Sequence, residues 1–167
     1  FLNRWIVVAR SEELAAPRSY RVVELGTQSA VIVRREDGSL RAFHNTCPHR
    51  GSILCTETSG QLSRERLVCP YHNWTYDLDG RLIATPRRMP TPDFDEKNFS
   101  LYEVAVDTWG GFVFVHFAGA SAPPLHRELA QLPTRFARYG FDSLRIGKRI
   151  VLDVKANWKL LVENFSE

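Results

Sequence analysis

The chain reads Cys47-Pro48-His49-Arg50-Gly51 and then, after residues 52–68, Cys69-Pro70-Tyr71-His72. Each of these stretches supplies one thiol and one imidazole. Gly51 and Pro70 disfavour helical structure, so both stretches are predicted to be loops. Two thiols and two imidazoles on a pair of short loops indicate a metal site.

The spacing of the four side chains bears on which metal they bind. Zinc sites of the Cys₂His₂ type usually pair two close cysteines with two histidines on a helix. Here each loop mixes one of each, which suits a cluster of two unlike irons, one held by sulfur and one by nitrogen. That is the ligand set of a Rieske [2Fe–2S] centre. We therefore assign Cys47 and Cys69 to one iron and His49 and His72 to the other, with a zinc-bound structural module as the alternative.

Composition excludes several classes of protein. The chain has 167 residues, 44% of them hydrophobic and 25% charged, which is ordinary for a soluble globular protein. No apolar run reaches membrane-spanning length, and a net charge of +3 is too small to indicate a nucleic-acid partner. Only three cysteines are present, so Cys55 is left unpaired and is interpreted as a small buried hydrophobic residue. This cysteine usage favours a reducing compartment, the cytoplasm.

The pattern of short apolar runs and turns predicts a mainly β fold, an antiparallel β-sandwich, over residues 1–118. Asp37-Gly38 and Asp79-Gly80 predict hairpin turns before the first loop and after the second. Three prolines in Pro86–Asp95 predict an irregular connection. Beyond residue 118 the character changes, with a short helix predicted over Leu125–Leu132, a strand over Arg145–Val154 and an amphipathic helix over Ala156–Phe165, capped by Asn157. Residues 119–167 are therefore predicted to begin a second, α+β domain. Both ends of the chain look cut, which suggests a piece of a longer protein.

The remaining histidines and the aromatic residues after the second loop have simpler interpretations. His44, His116 and His126 have no partner at ligand spacing, and each is interpreted as structural. Trp74 and Tyr76 are predicted to pack over the metal centre.

Two separate motifs resemble one known family. The loops, followed by Asn73–Gly80, resemble the Rieske domain of the α subunits of Rieske non-haem iron oxygenases of the aromatic-ring-hydroxylating dioxygenase type. Ala156–Phe165 resembles the segment that opens the catalytic domain of those enzymes. Tyr71 and Ser52 stand where cytochrome bc-type Rieske proteins carry additional cysteines, which disfavours that branch. A stand-alone Rieske ferredoxin is the alternative.

The resemblance implies an electron relay in an oxidoreductase. An NAD(P)H-dependent reductase, directly or through a ferredoxin, would supply electrons to the [2Fe–2S] cluster. A mononuclear Fe(II) in the full-length protein would then activate O₂ for monooxygenase or dioxygenase chemistry, that is, hydroxylation or oxidative demethylation of a small organic substrate. Aromatic hydrocarbon catabolism and oxidation of quaternary amines are both compatible. The family implies a homotrimer or an α₃β₃ assembly, with no nucleic-acid or membrane partner.

The resemblance also gives Glu167 a role. It would be the carboxylate that bridges a cluster histidine and an iron-bound histidine of the neighbouring subunit, an acid group that contributes to catalysis. The alternative is an ordinary glutamate on a helix surface. A glutamate at this position favours the branch of the family that acts on quaternary amines. The chain itself lacks the ligands of the mononuclear iron, so it is predicted to hold a [2Fe–2S] cluster without hydroxylating a substrate.

Overall fold

The computed structural model describes residues 2–86 and 91–166. In this part of the chain the regular structure is mainly β, with short helices near the C-terminal end. The strands are β1 (Ile6–Arg10), β2 (Ser19–Leu25), β3 (Gln28–Arg34), β4 (Leu40–His44), β5 (Ser59–Gln61), β6 (Arg66–Val68), β7 (Thr75–Asp77), β8 (Leu82–Ala84), β9 (Glu103–Trp109) and β10 (Phe112–His116). The α-helices are α1 (Leu125–Leu129), α2 (Leu132–Phe136) and α3 (Trp158–Asn164), and short 3₁₀ turns include Ser11–Leu14 and Glu96–Phe99.

The strands form two antiparallel sheets. Seven strands are ordered β1-β10-β9-β4-β3-β2-β5, and three are ordered β6-β7-β8. Every strand pairing in both sheets is antiparallel. The mainly β, antiparallel fold predicted from the sequence is therefore confirmed.

Strand β3 shows how the large sheet is buried on both faces. Successive side chains of a strand point to opposite faces. Val31 and Val33 accordingly belong to one hydrophobic cluster, together with the proposed ligands Cys47 and Cys69. Ala30 and Ile32 belong to a second cluster on the other face. The first cluster joins the two sheets and contains one cysteine from each loop.

Two hairpins place the loops. The predicted turn at Asp37-Gly38 joins β3 to β4, and β4 ends at His44, just before the first loop. Strand β6 ends at Val68 and leads directly into the second loop. The predicted turn at Asp79-Gly80 joins β7 to β8, where the Asp77 carboxylate accepts hydrogen bonds from two backbone amides of the turn. Both loops are therefore held by short, well-paired strands.

Gly80 is predicted to be intolerant of a side chain. Its φ is +84°, and an added Cβ would lie 2.5 Å from a ring carbon of the buried Phe43. We expect Gly80→Ala to lower the free energy of unfolding by about 2–4 kcal/mol, since it combines backbone strain with overpacking. The measurement is urea unfolding followed by circular dichroism. Gly38→Ala is the matched control because Gly38 has a similar φ of +82° but open space around it, so equal losses in both variants would contradict the packing argument.

Residues after 118 contact the β-sheet unit. Leu125 and Leu129 of α1 pack against Phe114 of β10. The Arg10 guanidinium donates hydrogen bonds to the carbonyls of Phe141 and Leu144, at 2.9 and 2.8 Å. Residues 141–149, called the tether segment below, are thus attached to the end of β1.

The carboxylates of the first 3₁₀ turn hold the same segment. Glu12 accepts a hydrogen bond from the backbone amide of Ile146 at 2.7 Å and pairs with Arg145. Glu13 binds Arg149 and Arg21 at 2.7 and 2.8 Å. The tether segment therefore has polar partners on the β-sheet unit along most of its length.

The structure differs from the sequence-based prediction in three places. The strand predicted over Arg145–Val154 is not formed, because its β-branched residues find no pairing strand in the described part of the chain and Ile146 bonds to a side chain instead. The short strand Ser59–Gln61 was not predicted, since it has no apolar residue to mark it. The helix predicted over Leu125–Leu132 is shorter than expected, because α1 ends at Leu129 and Leu132 begins α2.

The helix predicted near the C-terminal end is formed, whereas a predicted connection in the middle of the chain lies partly outside the described residues. Helix α3 forms as predicted, and the Asn157 side chain caps it by accepting from the amide of Lys159. The irregular connection predicted over Pro86–Asp95 includes residues 87–90, which are outside the described part. No helix among residues 2–86 and 91–166 is long and apolar enough to cross a membrane.

Candidate metal centre

The two loops share one backbone arrangement. In each loop the cysteine amide donates to the carbonyl five residues later, Cys47 to Ser52 and Cys69 to Trp74, both at 2.8 Å. Each cysteine carbonyl accepts from the amide four residues later, at Gly51 or Asn73, both at 2.9 Å. The loops therefore present their cysteines from equivalent tight turns, although the histidine follows two residues later in one loop and three in the other.

The residue four positions after each cysteine has a left-handed backbone. Gly51 has φ +70° and Asn73 has φ +58°. Glycine adopts this conformation freely, and asparagine is among the side-chain-bearing residues that tolerate it best. The sequence places Asn73 in the second loop where the first loop has a glycine, and the shared backbone arrangement explains why either residue is suitable.

The structure brings the four predicted cluster ligands together as two pairs, one of cysteines and one of histidines. Cys47 and Cys69 are each only 1% exposed and lie in the same hydrophobic cluster. His49 and His72 are partly exposed, with ring centroids 4.7 Å apart. The sulfur pair is thus buried and the imidazole pair lies nearer the surface. Glu167, the fifth predicted site residue, lies outside the described residues.

The donor atoms fit a two-iron cluster. Nδ1 of His72 is buried and has no hydrogen-bond partner in the described part of the chain. Buried polar atoms are almost always satisfied, and a nitrogen with a free lone pair is what a metal ligand requires. Within residues 2–86 and 91–166, no three His, Cys, Asp or Glu side chains form a site for a single metal ion. The four side chains occur instead as a thiol pair and an imidazole pair, and a Rieske cluster takes one pair on each iron.

Electrostatics favour the neutral imidazole that metal binding needs. Burial lowers the pKa of His49, and the neighbouring His72 and Arg50 lower it further. Burial raises the pKa of the Cys47 thiol, while hydrogen bonding to the Tyr76 hydroxyl opposes this change. Without metal, the Cys47 thiol is held neutral by its surroundings. Iron binding would release its proton because the thiolate is the form that binds metal.

Two aromatic residues support the ligands directly. The Tyr76 hydroxyl lies 3.1 Å from Sγ of Cys47, and Tyr76 is fully buried. Burial raises the pKa of Tyr76, so its hydroxyl keeps its proton and would donate to a thiolate sulfur. The Trp74 ring stacks on the His49 imidazole, with centroids 4.3 Å apart and planes 5° apart. Packing of both residues at the centre was predicted, but the polar contact of Tyr76 could not be read from the sequence.

Tyr76→Phe is expected to lower the reduction potential of the bound cluster. Hydrogen bonds to the sulfurs stabilise the more negative, reduced form, so removing one favours the oxidised form. We expect a decrease on the order of 50 mV, equivalent to the loss of roughly one hydrogen bond in the reduced state. The measurement is a dye-monitored redox titration of both proteins. The exposed Tyr139→Phe serves as the control, and an unchanged potential in Tyr76→Phe would show that the hydroxyl does not act on the cluster.

The other histidines and Cys55 have separate surroundings. His44 packs edge-on against Phe117, and His116 is buried, accepting from the amide of Ala118 at Nδ1. His126 is exposed on α1. Cys55 is half-buried against the hydrophobic cluster of the centre, and burial raises the pKa of its thiol to about 11. It thus remains neutral at ordinary pH, in keeping with its interpretation as a small hydrophobic residue.

An antiparallel β scaffold whose two loops each present a cysteine and a histidine has the ligand set of an iron–sulfur domain. Residues 4–95 match the family model of the Rieske [2Fe-2S] domain. The chain belongs to this family, whose cofactor is a [2Fe–2S] cluster.

Curated relatives and solved structures agree with this assignment. The chain is 40% identical over 167 residues to the glycine betaine monooxygenase oxygenase subunit of Chromohalobacter salexigens, covering 100% of this chain and 37% of the relative. It is 36% identical over 169 residues to the carnitine monooxygenase oxygenase subunit of Acinetobacter pittii, covering 100% and 45%. The crystal structure of apo CntA, a quaternary ammonium Rieske monooxygenase, superimposes with a TM-score of 0.90 at 35% identity, covering 100% of this chain and 48% of that one. The chain thus spans less than half the length of each.

These similarities confirm the resemblance to Rieske oxygenases. They extend over the whole chain, including the residues beyond 118. A stand-alone Rieske ferredoxin would be expected to match only about residues 1–118. The predicted link to aromatic hydrocarbon catabolism is not supported by these relatives, whose names refer to glycine betaine, carnitine and quaternary ammonium compounds.

Proposed function

We propose that this chain holds a [2Fe–2S] cluster, with Cys47 and Cys69 on one iron and His49 and His72 on the other. The observation that carries the proposal is the pairing of two buried thiols with two adjacent imidazoles, one of which has a buried, unpartnered Nδ1. When bound, such a cluster accepts and releases one electron at a time.

The surrounding residues define how the site would work. The buried sulfur side keeps the cysteines away from water, and Tyr76 donates a hydrogen bond there that stabilises negative charge. Trp74 fixes the plane of the His49 ring, and Phe99 packs edge-on against Trp74 at 5.5 Å. The partly exposed imidazoles form the face through which an electron would enter or leave, because transfer rates depend on close approach to a partner.

For the whole protein, we propose an oxygenase that oxidises a quaternary ammonium compound. Residues 1–118 would be the Rieske domain, and residues 119–167 would begin a catalytic domain whose mononuclear Fe(II) activates O₂. The support is the similarity along the entire chain to oxygenase subunits named for glycine betaine and carnitine. Electrons would come from an NAD(P)H-dependent reductase or a ferredoxin, and the subunits would assemble as a homotrimer or with a β subunit. Glu167 would be the bridging carboxylate between neighbouring subunits.

The test is a single-turnover experiment on the full-length protein. The protein is reduced with dithionite, freed of excess reductant and mixed with O₂ and one candidate substrate, either glycine betaine, carnitine or naphthalene. Cluster reoxidation is followed by absorbance, and products are identified by mass spectrometry. We expect a quaternary ammonium substrate to accelerate reoxidation and to yield an oxidised product.

The controls separate the parts of this proposal. The Cys69→Ala variant should give no product from dithionite-reduced protein. Product from naphthalene alone would overturn the proposed substrate class. A protein that carries the cluster and exchanges electrons, but oxidises none of the candidates, would instead favour the ferredoxin-type electron carrier.

A further inference from the structure

Asn45 is a buried polar residue two positions before the first proposed ligand. It follows the end of β4 and is only 2% exposed. Its side-chain nitrogen donates to the carbonyl of Cys55 at 2.8 Å, and its side-chain oxygen accepts from the amide of Cys55 at 2.9 Å. One amide side chain therefore satisfies both backbone groups of a residue that lies ten positions later.

These bonds close the first ligand loop at its base. The loop, residues 46–54, carries Cys47 and His49 between Asn45 and Cys55. The backbone bond at the same place, from the amide of Leu54 to the carbonyl of Asn45, is long at 3.4 Å. The two shorter side-chain bonds of Asn45 therefore reinforce this outer closure, and the 2.8 Å bond from the Cys47 amide to the Ser52 carbonyl, beside the Thr46–Ile53 bridge, closes the loop again one residue further in.

Asn45 is itself fixed to the large sheet. Its backbone amide donates to the carbonyl of Ser29 on β3 at 2.9 Å, and its side-chain nitrogen also lies 3.4 Å from the Ser29 hydroxyl. The far end of the loop is therefore connected through Asn45 to a central part of the fold. The amide does not need to touch a ligand in order to fix where the ligands lie.

We propose that Asn45 is a positioning residue for the cluster, which holds the first ligand loop at the correct distance from the second. This inference rests on the proposed cluster site. Without the paired bonds, Cys55 would separate from the end of β4, and the turn around Cys47 would open as a unit. Cys47 and His49 would then no longer be held against Cys69 and His72.

The experiment compares Asn45→Ala and Asn45→Asp with the unmodified 167-residue protein, each loaded with iron and sulfide. Asn45→Ala removes both bonds, whereas Asn45→Asp retains an acceptor for the Cys55 amide but no donor. Ser29→Ala is the matched control because it removes only the 3.4 Å contact. Three quantities are measured: the rate of cluster bleaching by an iron chelator, the electron paramagnetic resonance spectrum of the reduced cluster, and amide hydrogen exchange.

We expect Asn45→Ala to lose its cluster about tenfold faster, with a smaller effect in Asn45→Asp. The electron paramagnetic resonance lines of Asn45→Ala should broaden because its first loop samples several positions. Amides of Cys47 and Gly51 should exchange about tenfold faster, although neither bonds to Asn45. Amides of Cys69 and Asn73, in the second loop, should keep the rates of the unmodified protein, as should all amides in Ser29→Ala.

Several outcomes would overturn the inference. An unchanged bleaching rate and spectrum in Asn45→Ala would do so, and so would equal acceleration of exchange in both loops, which would indicate a general loss of stability. If the variants do not fold, hydrogen exchange in the unmodified protein tests the inference instead. The amides of Cys47 and Cys55 should then have the same protection factor, because the inference has the loop open as one unit. Different protection factors would refute it. Failure of the unmodified protein to bind iron would instead contradict the proposed cluster.

Discussion

Cys69→Ala is expected to abolish cluster binding. The substitution removes one of the two proposed sulfur ligands, and Cys69 is only 1% exposed, so water has little access to take its place. The iron content should fall from about two atoms per chain to almost none, and the visible absorption should disappear. The free energy of unfolding should fall as well, because metal binding to the folded state stabilises it.

Cys55→Ala provides the control for that result. Cys55 is a third cysteine near the same hydrophobic cluster, but its half-buried, neutral thiol lies outside the loop pattern that presents Cys47 and Cys69. This variant should keep the full iron content and spectrum. Loss of the cluster in Cys55→Ala, or its retention in Cys69→Ala, would refute the assignment of the sulfur ligands.

His72→Cys is expected to retain a cluster with a markedly lower reduction potential. A thiolate brings one negative charge where imidazole brings none, and the added charge favours the oxidised state. Rieske clusters have potentials of roughly −150 to +300 mV, whereas four-cysteine clusters lie near −400 mV. We therefore expect a decrease on the order of 100–200 mV for one replaced ligand. Redox titration measures this shift, and electron paramagnetic resonance reports the changed iron environment.

His126→Cys is the matched control for His72→Cys. It makes the same substitution at an exposed position on α1, so its potential should equal that of the unmodified protein. A potential in His72→Cys equal to that of the unmodified protein would show that His72 does not bind iron. Complete loss of the cluster would show that the second loop cannot place a sulfur atom at the position of the His72 nitrogen.

The sequence predicted the parts of this fold that depend on local patterns. Alternating apolar residues and the turns at Asp37-Gly38 and Asp79-Gly80 were sufficient for the hairpins that carry the loops. The cysteine and histidine spacing was sufficient to predict a metal site, and the Asn157 cap marked the start of α3. Each of these features is encoded within a few neighbouring residues.

Features that depend on distant contacts could not be predicted. The Tyr76 hydroxyl meets Cys47 from a separate strand, and nothing in the local sequence distinguishes it from an aromatic ring in the core. Asn45 bonds to Cys55, ten residues later, and nothing in the local sequence marks that pairing. Conversely, Arg145–Val154 has the composition of a strand but lacks a pairing strand among the described residues. Composition indicates what a segment can form, while pairing decides what it does form.

The tether segment has a practical consequence for protein engineering. Arg10, Glu12 and Glu13 bind backbone and side-chain groups as far along the chain as Arg149. An expressed fragment that ends at residue 118 would remove these partners, leaving Glu13 only its contacts with Arg21 and the Arg10 amide, and would expose the side of Phe114 that α1 covers. A fragment intended for electrochemistry or crystallisation is therefore better ended after residue 149. The useful boundary for cutting this protein lies about 30 residues beyond the point at which its β-rich sequence pattern stops.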